Sequence, residues 1–194
     1  MQSGYAGVMH LNAVPIQERP ETVAFAWPVT GKLHRDLRVD GYLAEKVADR
    51  EVFELVQDSI GWRVTDDQWH VVSKEVVSNS MVAIFHAGSP VAIACGLSRP
   101  SDWTELAWVA VAPAHRGMGI GKMVCGAVVA GLLEDGRSKI YGSTQDERLS
   151  AIKIYLDIGF YPLYRKEKVE RWESICQKLG IPFSPSSWRW QPDA

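Results

Sequence analysis

The stretch "AHRGMGIGKMV", residues 114–124, decides the fold because it joins a predicted strand to a predicted helix through three glycines. The strand covers 103–113 and ends at Pro113, after which apolar residues recur at helical spacing from Ile120 to Leu132. The start of a helix has free backbone N–H groups, which can hold an anion. The alternative is that the glycines only permit a tight turn into a packed helix.

Two common phosphate-binding motifs do not match this stretch. A P-loop has the pattern G-x-x-x-x-G-K-[S/T], but Arg116 and Met123 stand at its first and last positions. The dinucleotide motif G-x-G-x-x-G requires glycine at 122 or 124, where the chain has Lys122 and Val124. The pattern that remains is R-x-x-G-x-G, which ends at Gly121 and opens an amphipathic helix. This context favours phosphate binding over a plain turn.

Composition favours one globular domain that acts on a small molecule or a peptide. The chain has 194 residues, of which 46% are hydrophobic, and a net charge of −2. Broad nucleic-acid binding needs a basic face, and a membrane span needs about 20 apolar residues, so neither is expected. We expect a loose N-terminal arm over 1–20, the main domain over 21–168, and a helix and tail over 169–194 packed on the same domain.

The cysteines and histidines point to a cytoplasmic protein without a metal. Three cysteines are an odd number in apolar surroundings, which indicates reduced thiols, and the N-terminus carries no signal-peptide pattern. The five histidines are scattered without metal-ligand spacing, so no metal is predicted.

The order of predicted elements indicates an α/β fold with a mixed sheet. A first strand is expected over 21–29, and residues 42–60 have near-helical spacing that fits one bent helix or two short ones. A hairpin is expected over 81–98. Beyond the glycine stretch come a strand over 139–145 and a helix over 147–159, so a β-α-β crossover with parallel pairing is predicted. A short strand and an amphipathic helix over 169–180 follow.

Two motifs together resemble the GNAT superfamily of N-acetyltransferases. "VAVAPAHRGMGIGKMV" (109–124) is similar to the acetyl-CoA motif of that family, and "SAIKIYLDIGF" (150–160) to its second signature, a helix with A-x-x-x-Y that ends in G-F. The resemblance is good over 81–164 and weak over 21–60, where the family places its first strand and paired helices. It implies a central mixed sheet flanked by helices and leaves the partner strand of the final hairpin unidentified.

The resemblance implies acetyl-CoA as co-substrate and assigns residues to it. The strand before the loop would pair with the pantetheine arm and offer an N–H to the thioester carbonyl, and the loop amides would hold the diphosphate. A family asparagine is replaced by Arg148, which either reaches a CoA phosphate or faces solvent. The implied cofactor-binding residues are Val109, Ala110, Val111, Arg116, Gly117, Met118, Gly119, Ile120, Gly121, Lys122 and Arg148.

The resemblance also implies the catalytic groups. Tyr155 matches the general acid that protonates the departing CoA thiolate; from spacing alone it would be a tyrosine packed on the sheet. The family's frequent glutamate on the next strand is replaced here by Ser143, so our first choice as general base is Glu105, near the start of the strand and four residues before Val109. Asp146 and Glu147 are alternatives.

The expected function is transfer of acetyl from acetyl-CoA to a primary amine by direct attack in a ternary complex. The alternative is a non-catalytic acyl-CoA-binding sensor. The amine could belong to a small molecule, a peptide or a protein, and we expect it to lie partly against segment 42–70 and loop 98–104. Aromatic walls suit an amine with an apolar body; candidates are Trp62, Trp69, Trp103 and Trp108. The C-terminal helix and "SSWRW" could form a contact surface for a homodimer.

Overall fold

The fold is a seven-stranded mixed sheet with helices on both faces, seen in a computed structural model that describes residues 22–28, 33, 37–163 and 169–184. The strand order across the sheet is β2-β3-β4-β5-β6-β1-β7. No helix within those ranges has the length and hydropathy needed to cross a membrane. In chain order the elements are β1 Thr22–Ala26, β2 Tyr42–Lys46, α1 Arg50–Ser59, α2 Asp66–Glu75, β3 Val82–His86, β4 Ser89–Ser98, β5 Thr104–Val111, α3 Ile120–Glu134, β6 Ile140–Gln145, α4 Leu149–Ile158, β7 Tyr161–Leu163 and α5 Val169–Leu179.

The sheet separates two apolar cores. On one face α3, α4 and α5 bury side chains such as Val124, Ile152 and Trp172. On the other face α1 and α2 cover β3, β4 and β5 and bury Phe53 and Val72. Because strand residues alternate between faces, β5 contributes to both cores.

The predicted hairpin and crossover are confirmed. β3 and β4 pair antiparallel through a two-residue turn at Ala87 and Gly88, whose φ values of 49° and 81° suit the twist of a hairpin. β5 and β6 pair in parallel and are joined by α3, whereas the other strand pairs are antiparallel.

The prediction of a helical segment over 42–60 is wrong for its first part. Residues Tyr42–Lys46 form the edge strand β2, in which Leu43 is 59% exposed and adds nothing to a helical core stripe. The Asp49-Arg50 interruption is the start of α1, where the Asp49 carboxylate accepts a hydrogen bond of 2.7 Å from the Glu51 N–H. Only the part from Arg50 onward is helical.

Helix α2 was not predicted. Val72 is the one buried residue of this helix, so its apolar pattern is weak. The start of α2 nevertheless has a recognisable sequence motif. Thr65 and Gln68 form a capping box, with a Gln68 N–H to Thr65 Oγ1 distance of 3.2 Å and a Thr65 N–H to Gln68 Oε1 distance of 3.1 Å. The pattern T-x-x-Q before "WHVV" would have located this helix.

The strand expected over 21–29 is present as β1. β1 lies between β6 and β7 and pairs antiparallel with both, so Phe25 stands opposite Gly142 on one side and Pro162 on the other. One edge of the sheet is formed by β2. The strand that pairs with β7 is therefore β1, from the other end of the described chain, rather than a neighbour in sequence.

The predicted C-terminal helix is present as α5, and it packs against its own chain. Trp172, Ile175 and Cys176 are buried, and the Trp172 ring meets Phe25 of β1 edge-on at 5.5 Å between ring centroids. The apolar side of α5 is thus used within the fold rather than offered to a second copy. The arm over 1–20 and the "SSWRW" segment lie outside the described residues.

Candidate active site

A gap opens between β5 and β6 beyond their first two residue pairs. Pairing joins Thr104 to Ile140 and Glu105 to Tyr141, and these two strands, which are described in full, show no further pair. The register of β5 against β4 shifts next to Trp108, whose φ is 55°. A positive φ is rare for a bulky residue, and a bulge bends its strand. The second half of β5 therefore turns away from β6.

β5 presents backbone groups to this gap. The Ala112 N–H donates to the Val91 carbonyl at 2.8 Å, so residue 112 is directed toward β4, and Ala110 pairs with β4 as well. Alternate residues of a strand direct their backbone groups to opposite sides, so Val109 and Val111 face the gap. Of the three residues predicted to bind pantetheine, these two have the suitable direction and Ala110 does not.

The three glycines of the opening stretch serve two different purposes. Gly117 and Gly119 have φ values of 77° and 85°, in the left-handed region that other residues avoid. A Cβ on Gly121 would lie 2.5 Å from Ile154 Cδ1, so this glycine lets α3 pack closely on α4. These features fit a tight turn into a closely packed helix, and phosphate binding by the stretch stays a prediction.

The loop delivers free amides at the start of α3. The helix begins at Ile120 without a side-chain cap, and its first internal bond runs from the Met123 N–H to the Gly119 carbonyl at 3.0 Å. The N–H groups from Ile120 to Lys122 therefore point out of the helix, at the positive end of its dipole. Met118 is 52% exposed beside them. This arrangement suits a diphosphate.

The two basic side chains of the loop are already engaged by protein groups. Arg116 Nε donates to the Val111 carbonyl at 3.0 Å, and Lys122 pairs with Asp157 of α4, which also pairs with Lys153. Burial disfavours the charged form of Asp157, but hydrogen bonds from the two lysines outweigh it and lower the pKa of the carboxyl. The amides and the helix dipole remain as the main attraction for an anion.

An aromatic cluster that the sequence analysis missed ties the loop to the edge of the sheet. The Tyr42 hydroxyl lies 2.9 Å from His115 Nδ1 and 3.3 Å from Met118 Sδ. The His86 ring stacks on Tyr42 with 4.5 Å between centroids. Tyr42 and His115 are 73 residues apart, so no local pattern announces their contact.

Tyr155 lies at the gap on the face covered by α3 and α4. Its ring covers Gly142 of β6, with Cζ 3.5 Å from the position that a Cβ there would take. Phe25 and Phe160 flank the ring at centroid distances of 5.2 and 5.7 Å. Burial raises the pKa of the phenol far above its ordinary value, and nearby Cys125 adds to the effect. Tyr155 therefore keeps its proton at neutral pH.

Glu105 lies on the opposite face of the sheet. Leu106 packs in the core under α3, so its neighbours Glu105 and Ala107 point to the face of α1 and α2. Arg99 donates to Glu105 Oε2 from Nε at 2.8 Å and from Nη2 at 2.7 Å, and it also pairs with Glu75. The trio of Glu75, Arg99 and Glu105 is held in place by charge-assisted hydrogen bonds.

The candidate acid and base therefore stand on opposite faces of the same gap. Tyr155 approaches from one face and Glu105 from the other, next to Tyr141 of β6. Burial, with the nearby charge of Glu105, raises the pKa of Tyr141 to about 12, so this phenol stays neutral beside the carboxylate. Arg99 and Tyr141 were not predicted as site residues, since neither stands in a motif.

The other polar residues considered for catalysis or CoA binding have surroundings that suit those roles less well. Asp146 pairs with Arg171 of α5 at 3.2 Å, and Glu147 is exposed. Ser143 is half-buried on β6, and Arg148 stands exposed at the N-cap of α4.

Three of the four candidate tryptophans come together. Phe53 of α1 contacts both Trp69 and Trp108 at centroid distances of 5.4 Å, and Trp62 meets Trp108 at 6.3 Å. Trp103 lies apart, buried beside the Tyr141 ring at 6.0 Å. Trp103 is therefore a core residue near the start of β5 rather than part of this aromatic wall.

In the part of the chain that the structure describes, thiols and metal ligands form no separate site. Within the described residues, no three His, Cys, Asp or Glu side chains are placed to hold a metal ion. Cys95, Cys125 and Cys176 are buried, and burial raises the pKa of Cys95 and Cys125 to about 12. Almost no thiolate is present at these positions at neutral pH.

Solved structures share this fold at low sequence identity. A GCN5-related N-acetyltransferase from Sphaerobacter thermophilus aligns with a TM-score of 0.62 and 17% identity, over 73% of this chain and 48% of that one. A GNAT-family acetyltransferase from Colwellia psychrerythraea aligns with a TM-score of 0.54 and 16% identity, over 73% and 52%. The ribosomal-protein-S18-alanine N-acetyltransferase from Escherichia coli aligns at 0.53 and 14%, over 61% and 76%. This chain thus spans about half the length of the first two.

A match to a family sequence model identifies the family of this chain, which fold similarity at low sequence identity does not do. No curated protein matches the chain closely enough to show kinship. The sequence model of the Acetyltransferase (GNAT) family matches residues 46–160, more than half of the chain, and includes the glycine loop, β6 and α4. Both motifs on which the resemblance rested lie in this range. The chain belongs to the GNAT family of acetyltransferases, which are acyl-CoA-dependent acyltransferases.

Proposed function

We propose that this chain transfers an acetyl group from acetyl-CoA to a primary amine by direct attack in a ternary complex. The observation that carries the proposal is the gap between β5 and β6. It has free helix amides at one end, Tyr155 on one face and Glu105 on the other. A thioester in this gap is reachable from both faces at once.

Each group would then have a defined task. The amides from Ile120 to Lys122 would hold the diphosphate, and Val111 would pair with the pantetheine arm. The Val109 N–H would stabilise the negative charge that develops on the thioester oxygen during attack. Glu105, directly or through water, would take a proton from the ammonium so that the nitrogen can attack.

The leaving group departs toward the opposite face. As the N–C bond forms and the C–S bond breaks, Tyr155 would give its proton to the CoA thiolate, and the second proton of the nitrogen would restore the phenol through solvent. A phenol with a raised pKa is protonated throughout the working range, so the donor is present in every turnover.

The cysteines support direct transfer over an acetyl-enzyme. With a pKa of about 12, Cys95 and Cys125 should not react with a disulfide reagent such as DTNB at pH 8 in the folded protein. Buried Cys176 should be equally protected, and all three thiols should react in guanidinium. Stoichiometric modification of the folded protein, or radiolabel retained from acetyl-CoA without an amine, would argue for a covalent route.

The experiment that tests the function measures thiol release from acetyl-CoA across a panel of amines, with CoA affinity measured separately by calorimetry. We expect turnover with at least one amine and a matching mass gain of an acetyl group on it. Tight CoA binding without turnover of any amine would favour the non-catalytic sensor. The sensor is the alternative because Ser143 and Arg148 stand where the family often has a glutamate and an asparagine.

The glycine loop allows a matched test of cofactor binding. Gly117 and Gly136 have φ values of 77° and 78°, and a Cβ on either would meet nothing within 4 Å. Alanine at either position should cost about 1–2 kcal/mol of unfolding free energy. Only Gly117→Ala should also weaken CoA binding, by about tenfold, because Gly136 lies at the far end of α3. Equal CoA affinity of the two variants would show that the loop does not contribute to CoA binding.

A further inference from the structure

Exposed Trp62 and half-buried Trp108 lie together beside the bulge of β5, on the face where Glu105 lies. Trp62, which follows α1, is 47% exposed, and its ring is turned by 83° from the ring of Trp108 at 6.3 Å between centroids. Trp108 is backed by Phe53, which is fully buried. An exposed indole next to a supported one offers an aromatic surface on which an apolar group can pack.

One buried residue sets both tryptophans in place. The backbone carbonyl of Gln57 accepts a hydrogen bond from the backbone N–H of Trp62 at 3.0 Å. The side-chain Nε2 of Gln57 donates to the backbone carbonyl of Trp108 at 3.0 Å. Gln57 is only 3% exposed, so these bonds are shielded from water. The backbone segments that carry the two tryptophans are therefore joined through Gln57, next to Val109 of β5.

The charge nearby favours a cation. Glu75, Arg99 and Glu105 carry a formal charge of −1 together, and the guanidinium of Arg99 is engaged by both carboxylates. An ammonium ion is attracted to such a group, and a carboxylate on the acceptor would be repelled. Exposed Asp58 and Arg63, near Trp62, are of opposite sign and add no net charge.

From these observations we infer that the acceptor is an arylalkylamine, an aromatic ring joined to a primary amine by a short aliphatic chain. This inference rests on the proposed acetyl transfer. The ring lies against Trp62 and Trp108, and the ammonium points toward Glu105. At a rise of roughly 3.3 Å per residue, Glu105 and Trp108 are about 10 Å apart along β5, a span that a ring and two or three carbons can bridge.

The test compares kcat/KM for 2-phenylethylamine, n-hexylamine, spermidine and alanine amide. We expect 2-phenylethylamine to exceed n-hexylamine by about tenfold, the size of effect that an aromatic pair adds to apolar burial. Trp62→Ala should abolish most of this ratio, and Trp62→Phe should restore much of it. Leu55→Ala removes another exposed apolar side chain, 52% exposed on α1, and should leave the ratio unchanged.

Two results would overturn the inference while acetyl transfer stands. One is a higher kcat/KM for spermidine or alanine amide than for 2-phenylethylamine, and the other is an equal effect of Trp62→Ala on every amine. Equilibrium dialysis of 2-phenylethylamine with CoA-saturated protein separates the two proposals. Trp62-dependent binding without acetylation supports the arylalkylamine site and refutes the proposed reaction, whereas absence of both binding and acetylation refutes the site.

Discussion

Replacing Tyr155 with phenylalanine should lower kcat for acetyl transfer by about 10²- to 10³-fold and leave the affinity for CoA nearly unchanged. The substitution removes only the hydroxyl. The ring contacts with Phe25, Phe160 and Gly142 are apolar and remain. Because the thiolate would then depart without a proton donor, the loss should fall on kcat rather than on binding.

The pH dependence of this loss is a sharper measure than its size. Burial raises the pKa of Tyr155, so the protonated form is fully populated below that value and is lost only as pH rises through it. The ratio of wild-type to Tyr155→Phe activity should therefore be constant from pH 6 to 9. Tyr161→Phe, at a half-buried position of β7, serves as a control that should keep wild-type kcat. Wild-type kcat in Tyr155→Phe would place the acid elsewhere.

What could be predicted from the sequence was local. The glycine loop, α3 and the parallel crossover follow from a strand, a turn and a helix that adjoin in the chain, so short-range pattern was sufficient. The exposed strand β2 and the polar helix α2 bury too little to show periodicity. The position of β1 between β6 and β7 depends on pairing with residues more than 100 positions later, which no window of sequence displays.

The difference between local and long-range information also applies to the candidate active site. Tyr155 was predicted because it lies within the second motif, and Glu105 because it stands four residues before Val109 on the strand that leads to the glycine loop. Arg99 and Gln57 were not, since an isolated polar residue has no signature and its partners are chosen by the fold. Resemblance and motif spacing therefore point to the groups proposed to act on the thioester, and the structure adds the groups that contact them.

Elements outside the matched family range contact Tyr155, the proposed acid, and this leads to the second large effect. Phe25 of β1 is fully buried and touches both Tyr155, at 5.2 Å, and Trp172 of α5, at 5.5 Å. Phe25→Ala should lower the free energy of unfolding by about 3–5 kcal/mol, as large-to-small changes in a packed core do. Denaturation in urea with CoA absent would measure this loss.

Phe25→Ala should in addition lower kcat at a temperature where the variant is fully folded, because the Tyr155 ring loses one wall of its support. Leu132→Ala is the matched control. Leu132 is equally buried in the same core but lies against Gly96 of β4, and its removal should cost about 2–5 kcal/mol without a comparable fall in kcat. If both variants lose stability and keep wild-type kcat, β1 completes the sheet without positioning the acid. A fall in kcat confined to Phe25→Ala shows that the N-terminal strand is part of what places Tyr155 over the gap.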